Sequence, residues 1–278
     1  MTDYLGNLWF TSTRQGVMKI VPNQFADLFE RYDLPEEVVN STCFCDGKLF
    51  LATDTGLIVL DENGPLSTLP VTKAVTASGT DLDADDLIGY LKGSRIRSII
   101  KDSRDRLWFS TWRTRDLLRF DHGELTVFSQ EDGLLSDSVR TVCEGADGRI
   151  LVALTGGVNV IEDDQIVASY GREDGIVNTE SLTVEEGLNG EILLGSNGGG
   201  LSILDESGVK NINVEEGLPS DIVMHMKRDS KNKVVWIVTS SALAYMTPDY
   251  QVVKINNFPY PNNFDLHQNS KGDMWVLS

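Results

Sequence analysis

Short runs of alternating apolar and polar residues recur along the whole chain, and one arrangement of them repeats. It is a turn, an apolar pair often containing tryptophan, a small polar end, and then a second short run. The pattern appears as Gly6-Asn7-Leu8-Trp9-Phe10-Thr11, Gly47-Lys48-Leu49-Phe50-Leu51-Ala52-Thr53, and Arg106-Leu107-Trp108-Phe109-Ser110-Thr111. It continues in Gly148-Arg149-Ile150-Leu151-Val152-Ala153, Gly190-Glu191-Ile192-Leu193-Leu194-Gly195, Val234-Val235-Trp236-Ile237-Val238-Thr239 and Gly272-Asp273-Met274-Trp275-Val276. Alternation at period two predicts strands. The markers Trp9, Phe50, Trp108, Leu151, Leu193, Trp236 and Trp275 are spaced by 41, 58, 43, 42, 43 and 39 residues. Most of these intervals match one four-stranded propeller blade.

A second signature precedes several markers: Glu131-Asp132-Gly133-Leu134-Leu135-Ser136-Asp137, Glu173-Asp174-Gly175-Ile176 and Glu215-Glu216-Gly217-Leu218-Pro219-Ser220-Asp221, with Asp33-Leu34-Pro35 as a shortened copy. Glycine permits positive φ, and Ser or Asp bonds locally to the backbone, so these are turns. They should lead from the outer strand of one blade to the inner strand of the next. Inner strands follow as Ile96-Arg97-Ser98-Ile99-Ile100 or Val139-Arg140-Thr141-Val142. The expected fold is all-β: a β-propeller of about seven four-stranded blades, its terminal blades open to being incomplete. It forms a single propeller domain over residues 1–278 with an insertion around residues 62–93. In that insertion Ala84, Leu87, Ile88 and Leu91 share one helical face, which predicts a short amphipathic helix. The chain starts and stops inside a repeating unit, with no signal peptide and no membrane-spanning run, so it reads as a piece of a longer protein.

Composition narrows the functional classes. The 278 residues carry 42 acidic against 24 basic side chains, a formal net charge of −18. Such a surface repels phosphate backbones and anionic membranes, so no nucleic-acid partner is expected. Cys43, Cys45 and Cys143 have no zinc-ligand spacing and are odd in number, which leaves the redox compartment open. His122, His225 and His267 lie in different units, and no P-loop, nucleophile elbow or HExxH motif occurs. No catalytic residue, metal or cofactor is expected.

With the repeats laid out, the chain resembles the two-component regulator propeller family, whose pattern is a Gly-Leu-Pro/Ser loop, an inner strand, Asp-x-x-Gly and Leu-Trp-Ile-Gly-Thr. The resemblance is strongest over 131–152, 215–239 and 102–111. The segments Arg14-Gln15-Gly16-Val17-Met18-Lys19-Ile20, Ser94-Arg95-Ile96-Arg97-Ser98-Ile99-Ile100 and Phe258-Pro259-Tyr260-Pro261-Asn262-Asn263-Phe264-Asp265 are closer to the sensor regions of GGDEF-type diguanylate cyclases. The resemblance implies a bacterial signalling receptor with an extracytoplasmic sensor and an output domain outside this chain, a diguanylate cyclase or a histidine kinase. Neighbouring propeller or output domains, and a second copy in a homodimer, are the macromolecular partners it implies.

Four features should project onto the loop face of the propeller, where ligands gather around the channel. In Thr111-Trp112-Arg113-Thr114-Arg115-Asp116, Arg113 and Arg115 suit an anionic ligand with Trp112 stacking beside it; the competing reading pairs them with surface acids. Arg14 occupies the equivalent turn of the first unit. Phe258, Tyr260, Asn262 and Asn263 suit a carbohydrate or peptide, or else simply pack as a stiff loop. Ser196-Asn197-Gly198-Gly199-Gly200 precedes a strand rather than a helix, so it reads as a tight turn. The insertion is either a lid or surface decoration. The sequence thus favours a ligand-sensing or interaction module, non-catalytic by itself, over a carbohydrate-active enzyme or a structural spacer.

Overall fold

A computed structural model describes residues 8–12, 16–20, 27–258, 265–268, 271 and 273–277. The chain divides into two units, Met1–Glu36 and Glu37–Ser278. The first holds an antiparallel pair, Leu8–Ser12 with Gly16–Ile20, and a one-turn helix Leu28–Tyr32. Asp27 caps that helix, its carboxylate accepting from the Phe29 and Glu30 amides at 2.9 and 3.2 Å.

The second unit is a series of sheets, antiparallel but for one edge strand. The first comprises Val39–Cys45, Lys48–Thr53, Leu57–Asp61 and Gly64–Pro65. The second comprises Ile96–Lys101, Leu107–Thr111, Leu117–Asp121 and Glu124–Phe128. The third runs Val139–Glu144, Ile150–Leu154, Gly157–Glu162 and Gln165–Tyr170. The fourth runs Ser181–Glu186, Ile192–Ser196, Leu201–Asp205 and Gly208–Ile212. The fifth runs Val223–Asp229, Val234–Thr239, Leu243–Met246 and Val252–Lys254. A ribbon of two strands, Asp265–Gln268 and Met274–Leu277, follows. The first strand of each sheet lies beside the first strand of the next, which is the arrangement of propeller blades.

The expectation of about seven four-stranded blades is corrected here. Among the described residues five sheets have four strands or more, and the two remaining repeats are two-stranded. Counting markers overestimates blades because a marker identifies one strand, and a two-stranded ribbon carries it as readily as a complete sheet.

The apolar pair of each repeat has a direct structural reason. Successive strand residues point to opposite faces, and both faces of a blade are buried against neighbours. Trp108 therefore packs toward the third sheet with Phe128 and Val152, while the adjacent Phe109 packs toward the first with Phe50 and Val59. Leu151 and Val152, and Leu193 and Leu194, divide between layers in the same way. The core is thus a row of layers between blades rather than one centre.

The small polar end of the marker strand closes the next turn. The hydroxyls of Thr53, Thr111, Ser196 and Thr239 donate to the main-chain oxygens of Gly56, Asp116, Gly200 and Ala242 at 2.9–3.1 Å. The acidic-Gly loops form single 3-10 turns over Gln130–Asp132, Arg172–Asp174 and Val214–Glu216. Asp132, Asp174 and Glu216 each accept from the amide three residues upstream at 2.7–3.0 Å. Gly133, Gly175 and Gly217 end these turns at φ of 108, 106 and 105°, where a side chain would be strained.

The insertion contributes a strand, Lys73–Thr76, parallel to Glu124–Phe128 at the outer edge of the second sheet. Its helix spans Leu87–Leu91, which leaves Ala84 of the expected helical face outside it, and buries Leu87 and Leu91 in the layer between the first two sheets. No helix among the described residues is long and apolar enough to cross a membrane.

Candidate functional site: a ring of bulged residues in the channel

Every complete blade carries the same irregularity in its inner strand. The pairing register slips between Val39 and Ser41, Ile96 and Ser98, Val139 and Thr141, Ser181 and Thr183, and Val223 and His225. A bulge leaves one residue unpaired and re-aims its side chain. The five residues so placed are Asn40, Arg97, Arg140, Leu182 and Met224, all half-buried. All five line one cavity of about 540 Å³. Ser41, Ser98, Thr141, Thr183 and His225, each one position further along, line it too. The copies agree on the backbone irregularity and disagree on the side chain, so the ring is polar on one side and apolar on the other.

The Trp112 turn sits on the polar side. The Trp112 amide donates to the Arg95 carbonyl and the Arg113 amide to the Asp137 carbonyl, both at 3.0 Å. These bonds tie the turn to the strand entries of its own blade and the next. Thr155 and Asn197 hold the equivalent bridging position in the third and fourth sheets. The Arg140 guanidinium lies 4.2 Å from the Trp112 ring centroid, that of Arg113 5.6 Å and that of Arg97 6.0 Å. Asp54 Oδ1 accepts from Asn40 Nδ2 at 2.8 Å and pairs with Arg95 Nε at 2.8 Å. Burial first, and then the charges of Arg140 and Arg95, lower the Arg97 pKa. Burial also lowers that of Arg140, with Arg95 adding to it and Glu180 opposing.

A second cavity of about 410 Å³ shares Ile100, Thr141, Thr183 and His225 with the first, and mixes charges: Lys101, Glu144, Glu185 and Lys227. Here Cys143 Sγ donates to Glu185 Oε1 at 3.1 Å, and Lys227 Nζ lies 3.7 Å from Glu185 Oε2. Burial and the Glu185 charge push the Cys143 thiol well up, so it stays protonated. Among the described residues no group of three or more His, Cys, Asp or Glu could hold a metal ion.

The residues singled out from sequence fall in different places. Trp112 stands against Arg97 and Arg140 of the ring with the exposed Arg113 beside it, and neither Trp112 nor Arg113 lines the cavity. Arg115 turns away and stacks on Tyr90 of the insertion helix, 4.3 Å from its centroid. Phe258 packs with Val238, Leu243 and Leu266 in the layer after the fifth sheet. Arg14, Tyr260, Asn262 and Asn263 lie outside the described residues. Ser196–Gly200 forms a tight turn whose Gly198 and Gly200 amides donate to the Asp221 carbonyl at 3.0 and 2.8 Å. Sequence reasoning passed over Asn40, Arg97, Arg140, Leu182 and Met224. The available signal was the column after the first inner-strand residue, where the repeats stop agreeing.

Residues 90–113 match the family described as Two component regulator propeller. No curated protein matches the chain. Among solved structures, the chain is similar to the extracellular domain of BT3049 from B. thetaiotaomicron, assigned as a hybrid two component system. That likeness has 18% identity and a TM-score of 0.71, over 99% of this chain and 37% of that one. The corresponding domain of BT4673 from the same organism gives 14% identity and a TM-score of 0.65, over 99% of this chain and 39% of that one. Virginiamycin B lyase from Staphylococcus aureus gives 12% identity and a TM-score of 0.60, over 86% and 83%. At these identities the likeness establishes the β-propeller fold. The chain spans less than two fifths of the length of the first and second of these structures.

Proposed function

We propose that this chain is a ligand-sensing or interaction module of a bacterial signal-transduction receptor, extracytoplasmic and non-catalytic by itself. One observation carries the reading: five blades share one backbone bulge, yet present an amide, two guanidiniums and two apolar side chains to a single cavity. Packing between blades does not require that diversity, whereas selecting a ligand does. The family match over 90–113 supports it, because that segment includes Arg95, Arg97, Trp112 and Arg113. The likeness to extracellular domains assigned to two component systems supports the location. The remainder of the receptor would hold the output domain, a diguanylate cyclase or a histidine kinase. Ligand binding at the ring would favour one of two packings between this propeller and a neighbouring domain or a second copy.

A thermal-shift screen of sugars, amino acids and small anions tests this. At least one class should raise the melting temperature, and Arg140→Ala should abolish the rise. A screen without any stabilisation, together with no activity on glycans, would favour a spacer. That second reading has its own support: Leu135 and Val177, at equivalent positions of two loops, are 38% and 58% exposed and suit contact with another domain.

A further inference from the structure

We propose that the bulge ring binds a small amphiphilic oxyanion, an organic acid whose charged end sits at Arg97 and Arg140 and whose apolar body lies against Leu182 and Met224. This rests on reading the channel as a ligand site and names the class of ligand. The first support is a discrepancy in charge pairing. Arg106, Arg119, Arg149 and Arg228, the other described arginines that are not solvent-exposed, each meet a carboxylate. Arg97 and Arg140 make no side-chain hydrogen bond and no ion pair within 4 Å to any described residue. Asp54, the acid whose charge acts on Arg97, is engaged by Arg95 and Asn40, and Glu180 acts on Arg140 only from beyond ion-pair distance. In a chain with 42 acids and 24 bases, two adjacent half-buried cations without a carboxylate are a site kept open for an anion from outside.

The second support is the way the cations are held. Arg140 is stacked over the Trp112 ring at 4.2 Å, and Arg97 lies 6.0 Å from the same ring. Stacking positions a guanidinium through its face and leaves the N–H groups of its edge available for two parallel bonds to an oxyanion. The third support is the opposite half of the ring. Leu182 and Met224 line the same cavity, and about 540 Å³ is far more than an inorganic ion fills. Methionine adapts its shape to an apolar body.

The test uses the full 278-residue chain at constant ionic strength, with hexanoate as the probe. Acetate and sulfate supply the charge alone, and hexan-1-ol supplies the chain alone. Titration calorimetry should find hexanoate binding more tightly than acetate or sulfate, with no binding of hexan-1-ol. R97Q and R140Q should each weaken hexanoate about tenfold, the loss of one charge-assisted bond. R115Q, which alters a cation stacked on Tyr90 outside the ring, should leave it unchanged. M224Q should weaken hexanoate and spare sulfate. Melting curves without probe establish that each variant folds, and R97Q and R140Q test the site independently. Equal affinity for hexanoate and acetate, or unchanged affinity in both arginine variants, would overturn the proposal. Stabilisation by a neutral compound with silence from all the anions would overturn the anion assignment and leave the ligand-site reading standing. Silence from every probe and every screened compound would overturn both.

Discussion

Trp108 and Trp236 are held at their polar edge as well as by burial. Asp102 accepts from Trp108 Nε1 at 2.8 Å, Arg106 Nε at 2.7 Å and the Arg106 amide at 2.9 Å. Asp229 takes the equivalent place for Trp236, at 3.1 Å, with Asn232 and Gln268 as further donors. Burial alone would raise both carboxyls, but these donors outweigh it and hold both below the ordinary carboxylate value. Asp102→Ala leaves Arg106 Nε and the indole N–H buried without their acceptor, although Asp164 still pairs with Arg106 Nη1 at 3.2 Å, and should cost about 2 kcal/mol in urea unfolding. A depressed carboxylate contributes stability that is present above its unfolded pKa and lost as pH falls through its folded one. Stability should therefore decline below about pH 4, and the double variant D102N/D229N should show a shallower decline. An equal slope in the variant would place the acid sensitivity elsewhere. The pairing of Asp102 with Trp108 and of Asp229 with Trp236 was not visible in sequence. Each bond to the indole joins the two ends of a hairpin, and spacing alone does not show it.

At the scale of the element, glycine and acid together make the interblade loop. Ala at Gly217 would meet no atom within 4 Å, so its cost isolates the backbone, at φ of 105°. G217A should destabilise by about 1 kcal/mol, and E216Q, which keeps an acceptor for the Asn213 amide, by much less. A neutral G217A would mean that the turn adjusts freely. The insertion works as an element of the core rather than as a lid. Leu87 is fully buried between the first two sheets, so Leu87→Ala should cost about 3 kcal/mol. Its helical face was legible from the spacing of Leu87, Ile88 and Leu91. Its parallel strand Lys73–Thr76 was not, because an edge strand is defined by the partner it finds.

Across the whole molecule, charge opposes compactness. With a net charge of −18, self-repulsion should weaken with screening, so adding sodium chloride from about 10 to 150 mM should raise the melting temperature. A melting temperature that falls over that range would mean that ion pairs such as Arg95–Asp54 outweigh the net charge. The layered core adds a second consequence. Each blade packs only on its neighbours, so stability is close to a sum of successive interfaces, and a cavity in one layer weakens that layer first.

The sequence by itself determined what is periodic and local. Paired apolar residues specify strands buried on both faces, small polar ends close turns, and acidic-Gly runs set the passage between blades. Each of these depends on contacts within one repeat or with the next, so each copy states it again. Only the tertiary structure decided which repeats complete four strands, because that depends on pairing partners and not on the marker. It also decided that Arg97 and Arg140, from two blades, share one indole while Arg115, three residues from that indole in sequence, leaves for Tyr90. The physical reason is that the ring draws one residue from each of five repeats. Its chemistry exists only across copies, where no run of neighbouring residues can express it.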